Sequence, residues 1–128
     1  PSNSSAASDV YKRQGNGFKP RGLFLSTQNL LFSIKQSFNS ANNVQDLLDL
    51  IPVVDLVVWD DVAVSGLSAF EQNTLYDFIN SRMNMGLANI FTSNVSDKDL
   101  EKQVGKRLSS RILSGDIVAL RGKDRRRG

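Results

Sequence analysis

Three short stretches of the chain carry residues that could do chemistry. Residues 56–61, LVVWDD, run apolar and then end in two adjacent aspartates. A carboxylate at the end of a rigid strand can hold magnesium, often through water, while phosphates take other positions. Asp60 fits that role, and Asp61 could then orient or deprotonate an attacking water. Paired aspartates are also ordinary turn formers, and that reading stands beside the first. Residues 92–94, TSN, offer Asn94 as a group that could polarise a water or a terminal phosphate, although Ser and Asn are common after strands. One helix and one strand separate TSN from the acids, the length of a single αβ unit. Residues 105–112, GKRLSSRI, put Arg107 and Arg111 one helical turn apart. They are either a solvated helix face or contain an arginine that reaches a neighbouring subunit's nucleotide and neutralises transition-state charge.

Composition narrows the chemistry further. The 128 residues contain no Cys and no His. That removes disulfides, thiolate metal sites, Ser-His-Asp and Cys-His catalysis and the commonest zinc ligands. Carboxylates, Lys/Arg, Asn, Ser/Thr or a borrowed cofactor must do any catalysis. The absence of cysteine fits a cytoplasmic protein. No apolar run reaches the length of a transmembrane helix. The net charge of +3 is unevenly placed. Residues 121–128, RGKDRRRG, carry five basic residues and one acidic one, so the rest of the chain is close to neutral. Such a basic end is either a solvated terminus or a phosphate contact.

The elements that must position these residues follow from periodicity and punctuation. Residues 1–14 show no periodicity, and SSAASDVYKRQ resembles the translation of a sequencing adapter; we set them apart from 15–128, with a disordered tail as the alternative. Residues 15–20, GNGFKP, read as a loop and 22–26 as a strand. Leu30, Leu31, Ile34 and Phe38 share one face of a helix over 27–40. Residues 40–43 read as a turn, and 44–51 as a short helix stopped by Pro52. Residues 53–59 run almost unbroken apolar, like a parallel strand buried on both faces. A loop through Gly66 leads to a helix over 69–85 with Leu75, Phe78, Ile79 and Met83 inward. Residues 87–92 form another strand. Ser96 or Asp97 caps a helix in which Leu100, Val104, Leu108 and Ile112 recur every four residues, and 117–120 make a last strand. Alternating strands and helices predict an α/β fold, a parallel sheet with flanking helices. Ligands in such sheets bind beyond the carboxyl ends of the strands, where the acids, TSN and the basic end all fall.

DLVVWDDV, IFTSN, GKRLSSRI and the final VALRGKDRR, in this order, resemble the second half of AAA+ ATPases of the bacterial and phage replicative helicase-loader family (DnaC/DnaI type), over roughly residues 18–127. The resemblance implies a partial AAA+ P-loop NTPase core that binds ATP with magnesium in the intact parent. VVWDD is then similar to the Walker B motif, with Asp60 the metal acid. Asp61 takes the place of the usual catalytic glutamate, one methylene shorter, which bears on hydrolysis rate rather than binding. Asn94 matches the sensor-1 residue. Arg111 matches the arginine finger acting in trans, with Arg107 as the alternative. Arg126 matches an arginine near the family's C-terminal end with a sensor-2-like role. The implied partners are a replicative helicase, single-stranded DNA and further copies of the chain, with no membrane.

The phosphate loop, G-x-x-x-x-G-K-[ST], does not occur in the chain, and GNGFK has the wrong spacing. The family's sheet places the P-loop strand between the last strand and the sensor-1 strand. Its loss would expose apolar edges, so the 128 residues made alone are expected to fold poorly and to hydrolyse no ATP. Two other functions fit the same residues: a transposition-helper ATPase resembling IstB, and a non-catalytic DNA-binding or scaffold module with a degenerate nucleotide site.

Overall fold

The computed structural model describes residues 20–38 and 44–118. The sheet has three strands, β1 (Gly22–Ser26), β2 (Leu56–Asp60) and β3 (Ala88–Phe91), in the order β1-β2-β3. Both pairings are parallel, with Ser26 beside Asp60 and Trp59 beside Phe91. Helices α1 (Thr27–Ser37) and α2 (Gln45–Leu50) connect β1 to β2, and α3 (Ala69–Asn84) connects β2 to β3. Helices α4 (Asp97–Val104) and α5 (Lys106–Ile112) follow β3. The α/β expectation of a parallel sheet with flanking helices therefore holds.

Alternation along the strands sorts their residues to two faces. Leu23, Leu25, Val57 and Trp59 point into the core with Leu30, Leu31, Ile34, Ile51, Leu75 and Ile79. No described helix covers the opposite face, where Phe24 and Ile90 are 47% and 50% exposed and Val58 is half-buried. The apolar run at 53–59 suggests burial on both faces, but the described helices cover only one. The strand also starts later than expected, because 51–55 form a turn after α2. The outer edge of β3 has no paired strand among the described residues.

Side-chain caps start three helices, among them α4, where the Ser96 hydroxyl accepts from the Asp99 N–H. The Ser26 hydroxyl accepts from the Asn29 N–H at α1. At α3, Ser68 and Glu71 form a reciprocal capping box: the Glu71 N–H donates to Ser68 Oγ and the Ser68 N–H to Glu71 Oε1. Lys35 of α1 pairs with the other Glu71 oxygen at 3.1 Å, so the cap also ties α1 to α3. The Ser68 N–H, chiefly, holds the Glu71 carboxyl below its ordinary value; Lys35 adds to this and burial opposes it. A depressed carboxylate stabilises the fold above its unfolded value and loses that contribution as pH falls through the folded one. Glu71→Gln should therefore lower Tm at neutral pH, and the gap to wild type should close below about pH 4.3. Parallel thermal melts from pH 7 to 3 check this; a gap independent of pH would show that the charge is idle.

Three expectations need correction. Phe38 is 67% exposed rather than inward, because α1 ends at Ser37 and the Phe38 ring instead meets Phe70 edge-on at 5.8 Å. The helix expected to run through residues 97–112 breaks at Gly105, whose φ of 93° and ψ of 160° lie in a region open essentially to glycine alone. Leu100, Val104, Leu108 and Ile112 are nevertheless all buried, since the kink keeps both halves on the core. Residues 117–118 are exposed and in no strand, with 119–120 outside the described residues. Residues 1–19 and the turn at 40–43 also lie outside them. Gly105→Ala should cost about 1–3 kcal/mol from backbone strain alone. A new Cβ would also stand 3.0 Å from Gln72 Oε1. Urea unfolding should show most of the loss persisting in a Gln72→Ala background, because removing the amide relieves the contact but not the φ.

Candidate functional site at the carboxyl edge of the sheet

Parallel pairing brings the acids and the TSN segment together. Trp59 and Phe91 are partners, so the chain leaves β2 through Asp60 and Asp61 beside the exit of β3 through Thr92. The ladder continues past the strands: the Thr92 N–H donates to the Trp59 carbonyl at 3.1 Å, and the Val62 N–H to the Thr92 carbonyl at 2.9 Å. The Thr92 hydroxyl lies 2.7 Å from Asp60 Oδ1 and 2.9 Å from the Asp61 nitrogen. From the other side, the Thr27 hydroxyl donates to the Asp60 carbonyl at 3.0 Å. Thr27 is fully buried and Asp60 half-buried. Asp60 is thus fixed by both flanking elements.

Asp61 is exposed and has φ 51°, the left-handed region. Aspartate is among the few non-glycine residues that enter it readily. Asn94 is exposed in the chain's exit from β3, two residues beyond Thr92, and makes no hydrogen bond to a described residue. Thr92, not weighed separately in the sequence, is the member of TSN that touches the acids. Its signal was only its place in TSN at the end of the strand expected over 87–92.

The two arginines lie elsewhere, on α5 against α3. The Arg107 guanidinium stacks 3.9 Å from the Tyr76 ring centroid and donates to Asn73 Oδ1 at 3.1 Å. Arg111 donates to Asn80 Oδ1. Neither forms an ion pair with Asp60 or Asp61. Arg126 lies outside the described residues.

The donor set fits magnesium. Asp60 offers a hard oxygen ligand, and its Oδ2 accepts no hydrogen bond from a described residue. No group of three acidic side chains gathers among the described residues.

No protein-family model matches the chain, and no curated protein matches it by sequence. Solved structures do match. The crystal structure of the DnaC helicase loader has a TM-score of 0.62 and 23% identity, covering 85% of this chain and 63% of that one. DnaI has a TM-score of 0.62 and 22% identity, covering 71% and 52%. The replication initiator DnaA bound to AMPPCP and single-stranded DNA has a TM-score of 0.64 and 20% identity, covering 88% and 33%. At these identities the likeness is one of fold: the chain shares the parallel α/β fold of these structures and spans less than two thirds of their length. No helix among the described residues is long and apolar enough to cross a membrane.

Proposed function

We propose that residues 15–128 are the C-terminal part of an AAA+ ATPase domain of a helicase loader, which uses ATP to deliver a ring helicase to single-stranded DNA. The hydrogen-bonded junction of Asp60, Asp61 and Thr92 at the carboxyl edge of the sheet carries this reading. It is supported by the shared fold with DnaC and DnaI, and by a DnaA structure of the same fold type that holds a nucleotide analogue and single-stranded DNA.

In this reading Asp60 holds magnesium, in part through water. Bound there with ATP, magnesium would neutralise charge on the phosphates. Asp61 and Asn94 face the attacking water from β2 and β3. Arg111, or else Arg107, reaches the nucleotide of a neighbouring copy, and Arg126 contacts the phosphates of its own. The phosphate loop would lie upstream of residue 15. The open β3 edge and the sheet face with Phe24 and Ile90 fit that reading, since both would take a further strand and helix. DNA contact is mainly with phosphates and weakens with salt. The junction would serve an IstB-like helper equally well.

One observation favours a second reading. The left-handed backbone of Asp61 is what a turn aspartate shows, as a non-catalytic scaffold with a degenerate nucleotide site would need. Recovering the genomic DNA upstream of the Gly15 codon separates them. A frame running into G-x-x-x-x-G-K-[ST], whose complete product loads a helicase on single-stranded DNA only with ATP, is the expected result. A natural start codon directly before residues 1–14 would overturn the ATPase reading.

A further inference from the structure

We infer that Thr92 is a positioning residue whose hydroxyl sets which Asp60 oxygen meets the metal and holds the Asp61 turn. This rests on the nucleotide reading above. A hydroxyl has one proton to donate and two lone pairs to accept with. The Asp61 N–H, 2.9 Å away, can only donate, so it occupies a lone pair. The hydroxyl proton is then committed to Asp60 Oδ1 at 2.7 Å, which accepts it. One lone pair of Asp60 Oδ1 is thereby engaged from the β3 side, and Oδ2, which accepts no hydrogen bond from a described residue, is the freer oxygen for a metal-bound water.

The rest of the junction makes this arrangement rigid. The Thr92 backbone is locked on both sides, to Trp59 and Val62, so its hydroxyl cannot drift along the sheet edge. Thr27 holds the Asp60 carbonyl, which leaves the carboxyl rotation as the freedom that Thr92 removes. The same oxygen anchors the Asp61 N–H, and with it the left-handed turn at φ 51° that sends the chain toward Val62. A single hydroxyl therefore couples the metal acid to its neighbour. Asp61 takes part in the coupling through its backbone, whatever its carboxylate does.

Thr92→Val removes the hydroxyl and keeps the branched shape, while Thr92→Ser keeps the hydroxyl. The complete polypeptide and both variants are compared by amide exchange at Asp61, followed by NMR, and by titration with Mn2+ and ATP, followed by EPR. Thr92→Val should speed exchange at the Asp61 amide and weaken Mn2+–ATP binding, each about tenfold, the scale of one lost hydrogen bond. Binding of metal-free ATP should not change, which a general loss of structure would not allow. Thr92→Ser should restore both. Wild-type exchange in Thr92→Val, unaltered Mn2+–ATP affinity in it, or failure of Thr92→Ser to rescue would each overturn the inference. A wild type with a protected Asp61 amide and no Mn2+–ATP binding would instead sink the nucleotide reading, and the metal role of Thr92 with it.

Discussion

Arg82→Ala is expected to cost about 3–5 kcal/mol of folding stability, the range for stripping one partner from a buried charged network. Most domains have only about 5–15 kcal/mol in total. Arg82 is fully buried near the C-terminal end of α3. Its guanidinium donates to the carbonyls of Ile51, Val54 and Ala88 at 2.6–2.8 Å, and to Asn89 Oδ1 at 2.8 Å. Asn89 Oδ1 also accepts from the Trp59 indole N–H at 3.1 Å. One side chain thus joins α3, the turn before β2, and β3. Truncation would leave a cavity and buried acceptors without donors, each costing about 1–3 kcal/mol. Burial pushes the guanidinium pKa down while Asp55 opposes it, and an arginine remains charged under such conditions. Arg82→Met separates the causes, because it fills much of the space and donates nothing. Equilibrium urea unfolding should place Arg82→Met well below wild type; a loss under about 1 kcal/mol would show that packing, not hydrogen bonding, is what matters. Arg82→Lys should fall between, since an ammonium cannot match the planar fork.

Arg82 also marks where the sequence stopped being legible. Helical spacing puts it on the inward face with Leu75, Phe78 and Ile79, but its residue type reads as a surface charge and gives no sign of what it meets there. Its acceptors are mostly backbone carbonyls at 51, 54 and 88, which leave no trace in side-chain patterning. Gly105 escaped for a related reason. The four-residue spacing of Leu100, Val104, Leu108 and Ile112 survives a kink that keeps both halves on the core, so periodicity alone cannot reveal the break. What was legible rests on local chemistry. Val57 and Trp59 mark a buried strand face, Ser96 a helix start, and the pair Asp60-Asp61 a strand end. The parallel pairing that sets Thr92 against both acids is a long-range fact, reached only through the α/β topology. Within TSN the side chain that makes the contact follows from the register, which short apolar strands do not disclose.

Asp60→Asn and Arg111→Ala, each in the complete polypeptide, should lower ATP turnover by about a hundredfold or more, given what metal ligands and arginine fingers contribute to phosphoryl transfer. Both should stay folded. The amide introduced by Asp60→Asn keeps an Oδ1 to accept from Thr92, and Arg111 is half-buried with one bond to Asn80, worth about 1 kcal/mol. The informative step is mixing the two variants. Arg111, on α5, is held against α3 by Asn80 and does not pair with Asp60 of its own chain, so in this reading its partner nucleotide would belong to a neighbour. In a head-to-tail assembly of equal amounts, about a quarter of interfaces would join an intact Asp60 to an intact Arg111. Turnover of the mixture should therefore recover to roughly that fraction of wild type, far above either variant alone. If it does not recover while both variants still assemble, Arg111 acts within its own chain or not at all. Arg107→Ala then becomes the discriminating variant: its guanidinium is the more exposed of the two, and its stacking on Tyr76 would have to break before it could reach a second subunit.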